Sequence, residues 1–276
     1  MLITMTEDWT IDELMCVCIS RQVQDGEVLA QGLATPIVAA GYLLAWHTHA
    51  PNVSFASAVG QTLCEEGAPL GLTAVESLWL DKALASFGFI RAAADLLPTV
   101  KPKEFFRPGQ VDIHGNFNNI AIGKDYTKPR LRLPGSGGIP DVSTYVDGIY
   151  LYVPRHSKVT FVKEIDFRSG LGHSPERVRG SGTVYLISNL GEFDFIDGRM
   201  RIFSLHPDVL MKQVQARTGF DLEISKDLQT TLPPNSDEIQ LLRDVIDPLG
   251  IRKLEFMSGH KRNEAIREIL KAEAKL

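Results

Sequence analysis

The sequence predicts an α/β protein in which a mainly parallel sheet is flanked by helices. Three observations carry that expectation. Helical and strand-like segments alternate from the N-terminus onward, the first two strand-like runs are joined by a helix rather than a tight turn, and the composition supplies a sizeable core. Across 276 residues, 44% are hydrophobic and 23% charged, the proportions of an ordinary folded chain.

Thr10 with Glu13 forms a capping box, and Leu14, Val17, Cys18 and Arg21 recur at helical spacing, so an opening helix is expected. Asp25-Gly26 ends it. Glu27 to Gly32 reads as a strand, and Thr35-Pro36 supplies an N-cap and a first-turn proline for a helix running to Trp46. Pro51 stops that helix, and Asn52 to Val59 reads as a second strand closed by Gly60. Because a helix separates the two strands, they are expected to pair in parallel through a right-handed crossover.

Helical pieces are expected next at Ala74 to Leu84 and Arg91 to Leu97, followed by a tight turn at Asp112 to Asn116 between two short strands. Strands are expected at Gly148 to Val153, Lys158 to Ile165 and Thr183 to Ser188, with a hairpin of Glu192 to Ile196 and Met200 to Leu205 turning at Asp197-Gly198. Pro207 to Thr218 and Asp237 to Ile246 read as helices, the second capped by Ser236. Glu264 to Lys275 is a charged helix whose stripe of Ile266, Ile269 and Leu270 suits packing on a neighbour. No repeat or linker divides the chain, so a single domain over residues 1–276 is expected, with 251–276 as a charged C-terminal helical extension.

Charge and composition narrow the function. With 29 Lys+Arg against 34 Asp+Glu the formal charge is -5, which argues against a nucleic-acid binder. No apolar run long enough to span a membrane and no signal-like start are present, so the chain reads as cytoplasmic. Cys16, Cys18 and Cys64 are expected as reduced, packed thiols. His47-x-His49 lacks a third ligand, so no metal is expected. Neither a Gly-x-Ser-x-Gly elbow nor a Cys/His signature announces a hydrolase nucleophile.

The most distinctive segment is Arg130 to Asp141, which contains Gly135-Ser136-Gly137-Gly138. Three glycines in four residues allow positive φ and bare the backbone N–H groups, so a thioester oxygen or a phosphate can approach closely. The same spacing also suits an ordinary glycine turn, and the ending of a Walker sequence is absent.

Several collinear segments add a resemblance. They are Thr48-His49-Ala50-Pro51-Asn52, Gln110-Val111-Asp112 with Gly115-Asn116-Phe117-Asn118, Leu133-Pro134 leading into the glycine run, Ser188-Asn189-Leu190-Gly191 with Phe193, His206-Pro207-Asp208-Val209, Thr218-Gly219-Phe220-Asp221-Leu222, and Ile246-Asp247-Pro248. Taken together they resemble the beta subunit of the glutaconate CoA-transferase family, the class I CoA-transferases. The resemblance implies an open CoA-transferase-type fold, an alpha-subunit partner in an α2β2 heterotetramer, and an acyl-CoA site at the subunit interface. Coenzyme A would then arrive as part of the substrate rather than as a bound cofactor.

Transferases of this family carry a nucleophilic glutamate in a Glu-Ser-Gly sequence after the Ala-Pro-Asp/Asn motif; its carboxylate forms the enzyme-CoA thioester. Ala58-Val59-Gly60 occupies that place here, and no Asp or Glu occurs between residues 28 and 64. Ser57 and Cys64 show no positioned base in sequence. The chain thereby resembles the nucleophile-lacking relatives, the steroid ring-cleaving hydrolase and 3-methylglutaconyl-CoA decarboxylase. That resemblance implies carbon-carbon cleavage of an acyl-CoA, by hydrolysis or decarboxylation, through a thioester enolate. Genuine CoA transfer and a non-catalytic CoA-binding scaffold are the alternatives. In the leading reading Gly137 and Gly138 form the oxyanion loop, Gly135, Ser136 and Ser57 line the substrate, and Ala58 leaves room where the carboxylate is missing. Arg130 and Arg132, on one face if extended, are candidates to hold an anionic group or the CoA phosphates. Ile139-Pro140 stands where the transferases usually continue Ala-Asn, and proline removes one N–H from that stretch.

Overall fold

In the computed structural model residues 9–32, 35–57, 61–73 and 81–275 are described, and they gather into two compact units. The first is drawn from residues 1–86 and 232–276, the second is Phe87–Thr231.

The first unit begins with α1 (Ile11–Arg21), where Thr10 N–H donates to Glu13 Oε2 at 2.9 Å as the capping box predicts. β1 (Val28–Gln31), α2 (Pro36–His47) and β2 (Ser54–Ser57) follow, and β1 pairs with β2 in parallel from Val28↔Ser54 to Gln31↔Ser57. The helices meet closely because Gly41 on α2 has no Cβ: one there would come within 2.7 Å of Ile19 Cγ2 on α1. β3 (Thr62–Cys64) and β4 (Ala83–Ser86) continue the sheet antiparallel, in the order β1-β2-β3-β4. The helix expected over Ala74 to Leu84 therefore needs correction at its end, where Ala83 and Leu84 are strand residues; residues 74–80 lie outside the described ones. Pairing with β3 fills backbone groups that a short helix end leaves open.

Arg252, 1% exposed, ties α1 to the C-terminal part of this unit, reaching Asp12 and Glu13 at 2.8 Å and Asp247 at 2.9 Å. The segment expected as one helix from Asp237 splits into Ser236–Gln240 and a π-helical Leu241–Ile246. Its N-cap is Asn235 rather than Ser236, since Asn235 Oδ1 accepts Glu238 N–H at 2.9 Å. The terminal helix Gly259–Glu273 buries Ile269 and leaves Leu270 38% exposed.

The second unit contains β5 (Lys103–Phe106), two small hairpin pairs, β6 (Gln110–Val111) with β7 (Phe117–Asn118) and β8 (Ala121–Ile122) with β9 (Leu131–Arg132), and α3 (Ile139–Tyr145). β10 (Ile149–Val153), β11 (Thr183–Ser188), β12 (Gly191–Ile196), β13 (Arg199–Leu205), α4 (Met211–Arg217) and β14 (Glu223–Thr230) complete it. Its sheet runs β14-β13-β12-β11-β10-β5, parallel at β5/β10, β10/β11 and β13/β14 and antiparallel around the β12 hairpins. Leu151, Leu186, Phe193 and Ile202 on the sheet pack with Phe106, Phe117 and Phe161 in its core. The expected Asp197-Gly198 turn has positive φ at both residues, 50° and 73°, as a primed hairpin turn requires.

Lys158 to Ile165, expected as a strand, is irregular and makes one isolated parallel bridge, Val111↔Phe161. A turn closes it, with Phe161 N–H donating to Ser157 O at 2.8 Å. Phe161 stacks on His156 at 3.6 Å between ring centroids, so the segment gives its buried ring to the core without a ladder. α4 starts at Met211, later than the expected Pro207.

Candidate functional site

The glycine loop is assembled within the second unit. Leaving β9, Leu133 N–H donates to Ile120 O at 3.1 Å, and Gly135, at φ 108°, donates its N–H to Asn119 O at 2.8 Å. Gly138, at φ 78°, caps α3; Ile139 N–H turns back to Ser136 O at 3.1 Å and Val142 N–H donates to Gly138 O at 2.9 Å. Both positive angles favour glycine. Asn119 is the fastener: its Oδ1 accepts Gly109 N–H at 2.7 Å and its own N–H donates to Ser169 Oγ at 2.8 Å. Gly109 is crowded as well: a Cβ there would stand 2.5 Å from Leu133 Cδ1 and 3.1 Å from Asn118 O. These contacts tie the loop to the chain leaving the carboxyl end of β5, the end at which open α/β sheets bind ligands.

Gly137 is different from its neighbours. Its φ lies outside the left-handed region, and a Cβ there would meet nothing within 4 Å. Neither backbone conformation nor crowding within this chain asks for glycine. Among the described residues, neither Gly137 N–H nor Gly138 N–H has an acceptor. Two adjacent donors on a surface free of side chains can receive an oxygen that carries negative charge. Pro140 sits in the first turn of α3, where an amide has no intrahelical acceptor, so the helix forms without its N–H.

The two arginines go to different neighbours. Arg132 lies 4.2 Å over the Tyr126 ring and donates to Tyr126 O at 2.6 Å. Arg130 instead lines a cavity of about 430 Å³. Ser57 is buried at the end of β2 in the first unit, between Gln31 of β1 and Thr62 of β3; Ala58 lies outside the described residues. Cys16, Cys18 and Cys64 are buried and form no disulfide among the described residues, and burial pushes the thiols of Cys16 and Cys64 up, away from reactive thiolate. His49 Nε2 lies 3.2 Å from Val23 O while His47 packs on Trp46, and no metal-binding cluster occurs among the described residues. Nor is any described helix long and apolar enough to cross a membrane.

The polar motif residues turn out to be scaffolding. Gln110 Oε1 accepts Asn118 Nδ2 at 2.7 Å and Asp166 N–H at 3.0 Å, while Asp112 Oδ1 receives the N–H groups of His114 and Asn116 at 2.9 and 3.0 Å. His156 and His206 are buried and both bond Ser188 at the end of β11. Thr218 Oγ1 donates to Val214 O at 2.9 Å, so it accepts from His156 Nε2–H, and His156 Nδ1 then accepts from Ser188 Oγ at 3.0 Å. Burial pushes His156 down to about 3 and His206 down to about 4, keeping both neutral.

Sequence reasoning missed Glu104. It is half-buried on β5, burial pushes its carboxyl up to about 7, and no described residue pairs with it. The available signal was an acid inside a buried strand; a group titrating near neutrality suits proton transfer.

No family model matches the chain. It is 30% identical over 257 residues to the cholesterol ring-cleaving hydrolase IpdB subunit of Mycobacterium tuberculosis, covering 89% of this chain and 98% of that protein. It is 28% identical over 260 residues to the B-type subunit of 3-oxoadipate CoA-transferase from Pseudomonas knackmussii, covering 85% and 92%. The crystal structure of the decarboxylase AibA/AibB superposes with a TM-score of 0.77 at 30% identity, covering 89% of this chain and 98% of its match. A shared fold, length and collinear sequence with hydrolase, decarboxylase and transferase subunits alike lead to one conclusion: the chain belongs to the class I CoA-transferase family, as a B-type subunit.

Proposed function

We propose that this chain is the beta subunit of a CoA-transferase-like heteromer, partnered with an alpha subunit, that cleaves a carbon-carbon bond of an acyl-CoA without a glutamyl-CoA intermediate. The observation that carries this reading is Gly137: an uncrowded glycine with normal φ whose N–H, like that of Gly138, has no acceptor among the described residues. Electrons released when the bond breaks move onto the thioester carbonyl, and the Gly137 and Gly138 amides hydrogen-bond the resulting enolate oxygen. Each such donor contributes a factor of about 10² to 10³. In the hydrolytic version water adds to a β-carbonyl before the bond breaks; in the decarboxylative version carbon dioxide leaves. In both, the enolate carbon then takes a proton. The names of two relatives, a ring-cleaving hydrolase and a decarboxylase, support this class.

CoA transfer is the second reading, favoured by the likeness to the 3-oxoadipate CoA-transferase. Ala58 and the lack of any acid between residues 28 and 64 speak against it, since a methyl group cannot form the thioester intermediate. The test is mass spectrometry of an acyl-CoA panel turned over by the chain co-expressed with its alpha partner. Gain of water or loss of carbon dioxide is expected. Acyl exchange, or a hydroxylamine-trapped acyl group on this chain, overturns the proposal.

A further inference from the structure

One cavity in the second unit lies apart from the glycine loop. It has a volume of about 430 Å³ and is lined by Lys124, Arg130 and Lys158, by the apolar Ile122, Val159 and Val162, and by Gln110 and Asp166. That volume falls within the range of small-molecule sites. Its cations are exposed and, among the described residues, none is paired with a carboxylate, whereas Arg168, Arg199 and Arg201 of the same unit each have a carboxylate partner. Three like charges around one concavity repel one another unless an anion joins them.

The cavity is built by constrained backbone. Gly123, at φ 111°, allows the chain to turn where a Cβ would lie 3.0 Å from Arg130 N, and Arg130 N–H donates to Ile122 O at 2.8 Å. Asp125 Oδ1 accepts Thr127 N–H at 2.8 Å and fixes the following turn. Against this segment, Asp166 Oδ2 accepts Gln110 Nε2 at 3.0 Å and Gly123 N–H at 2.9 Å. Asp166 Oδ1 accepts nothing among the described residues, which leaves one acceptor beside the cations. Cations for phosphate, an apolar wall for a ring and a free acceptor for a hydroxyl describe one ligand chemistry.

We propose that this cavity binds a phosphorylated nucleoside, with Lys124, Arg130 and Lys158 on its phosphates and Asp166 Oδ1 on a hydroxyl. Two sources share that chemistry: the nucleotide end of the acyl-CoA substrate and a free nucleotide. The first rests on the acyl-CoA reading above. Chain length allows it, since the seven steps from Arg130 to Gly137 can span up to roughly 25 Å when extended, enough for the pantetheine arm of CoA.

The test uses the co-expressed heteromer and single Lys124→Gln, Arg130→Gln and Lys158→Gln variants, all at exposed positions. Calorimetry with CoA, dephospho-CoA and ADP is read beside steady-state kinetics. If CoA is the source, each variant weakens CoA binding about tenfold at low salt, dephospho-CoA binds less tightly than CoA to the unaltered heteromer, and KM rises with kcat unchanged. A free nucleotide as the source instead gives ADP binding that the variants weaken, without displacement of CoA. Wild-type affinity for both CoA and ADP in all three variants overturns the proposal. Should no acyl-CoA be turned over while CoA binding still depends on these cations, the catalytic reading fails and the site stands.

Discussion

Two glycine-rich regions of the second unit look alike in sequence and differ in what surrounds them. At Gly170 and Gly172 a Cβ would overlap the Phe117 ring and the His114 and Gly115 backbone respectively, so these glycines exist because other atoms of the chain occupy the space. At Gly135, Gly137 and Gly138 a Cβ would meet nothing within 4 Å. The first pair is a packing requirement. In the second set, Gly135 and Gly138 serve backbone conformation, and Gly137 serves neither purpose, which makes it available to a ligand.

That contrast is exposed to direct tests. Gly172→Ala sets a methyl against immovable backbone, so we expect a loss of stability of about 3 kcal/mol or more, read as a fall in the urea midpoint; an unchanged midpoint would place both regions in one class. Gly137→Val is expected to leave the midpoint within about 0.5 kcal/mol of the parent. Its kcat on the cleaved acyl-CoA should nevertheless fall about 10²-fold or more as the side chain crowds the donors. Equal activity in that variant removes the oxyanion role.

Acidification separates the regions further. His156 and His206 are held neutral by burial, at about 3 and about 4, against an ordinary value near 6.5. Their folded values lie below the unfolded one, so their stabilising contribution is complete above about pH 6.5 and is lost as pH falls toward the folded values. Each should cost about 2 kcal/mol by pH 5, measured as a drop in ΔG of unfolding that His156→Gln partly flattens. The glycine loop carries no titratable side chain from Gly135 to Gly138, so Gly137→Val should leave that pH slope unchanged. The smallest effect is expected at Asn119→Ala, which removes the 2.7 Å Oδ1 acceptor of Gly109 N–H and leaves it Asn118 O at 3.0 Å: about 1 kcal/mol in stability, with kcat reduced more than KM is raised. A pure KM effect would assign Asn119 to ground-state binding.

Much of the fold was legible because its signals are short-range. The Thr10/Glu13 box, Pro36 in the first turn of α2, the parallel β1/β2 pair and the Asp197-Gly198 turn all follow from residues within a few positions of one another. Lys158 to Ile165 misled because its apolar residues have strand character while Phe161 is buried on His156 instead of joining a ladder. Ala83 and Leu84 became strand through pairing with β3, a partner some twenty residues away that no local rule specifies. The family motifs were visible, and Gln110, Asp112 and Asn118 within them form a hydrogen-bonded support that only folding assembles.

By itself, then, the sequence decided the absence of an acid at position 58, the class of alternating helices and strands, and the presence of a glycine run able to bare its amides. Which of those glycines is uncrowded, that Arg130 faces a cavity while Arg132 lies on Tyr126, and that Glu104 on β5 has no partner among the described residues were decided by tertiary structure alone. The reason is physical: caps, turns and periodicity are interactions between near neighbours in the chain, whereas crowding, burial and the destination of a long side chain depend on atoms that only folding brings close.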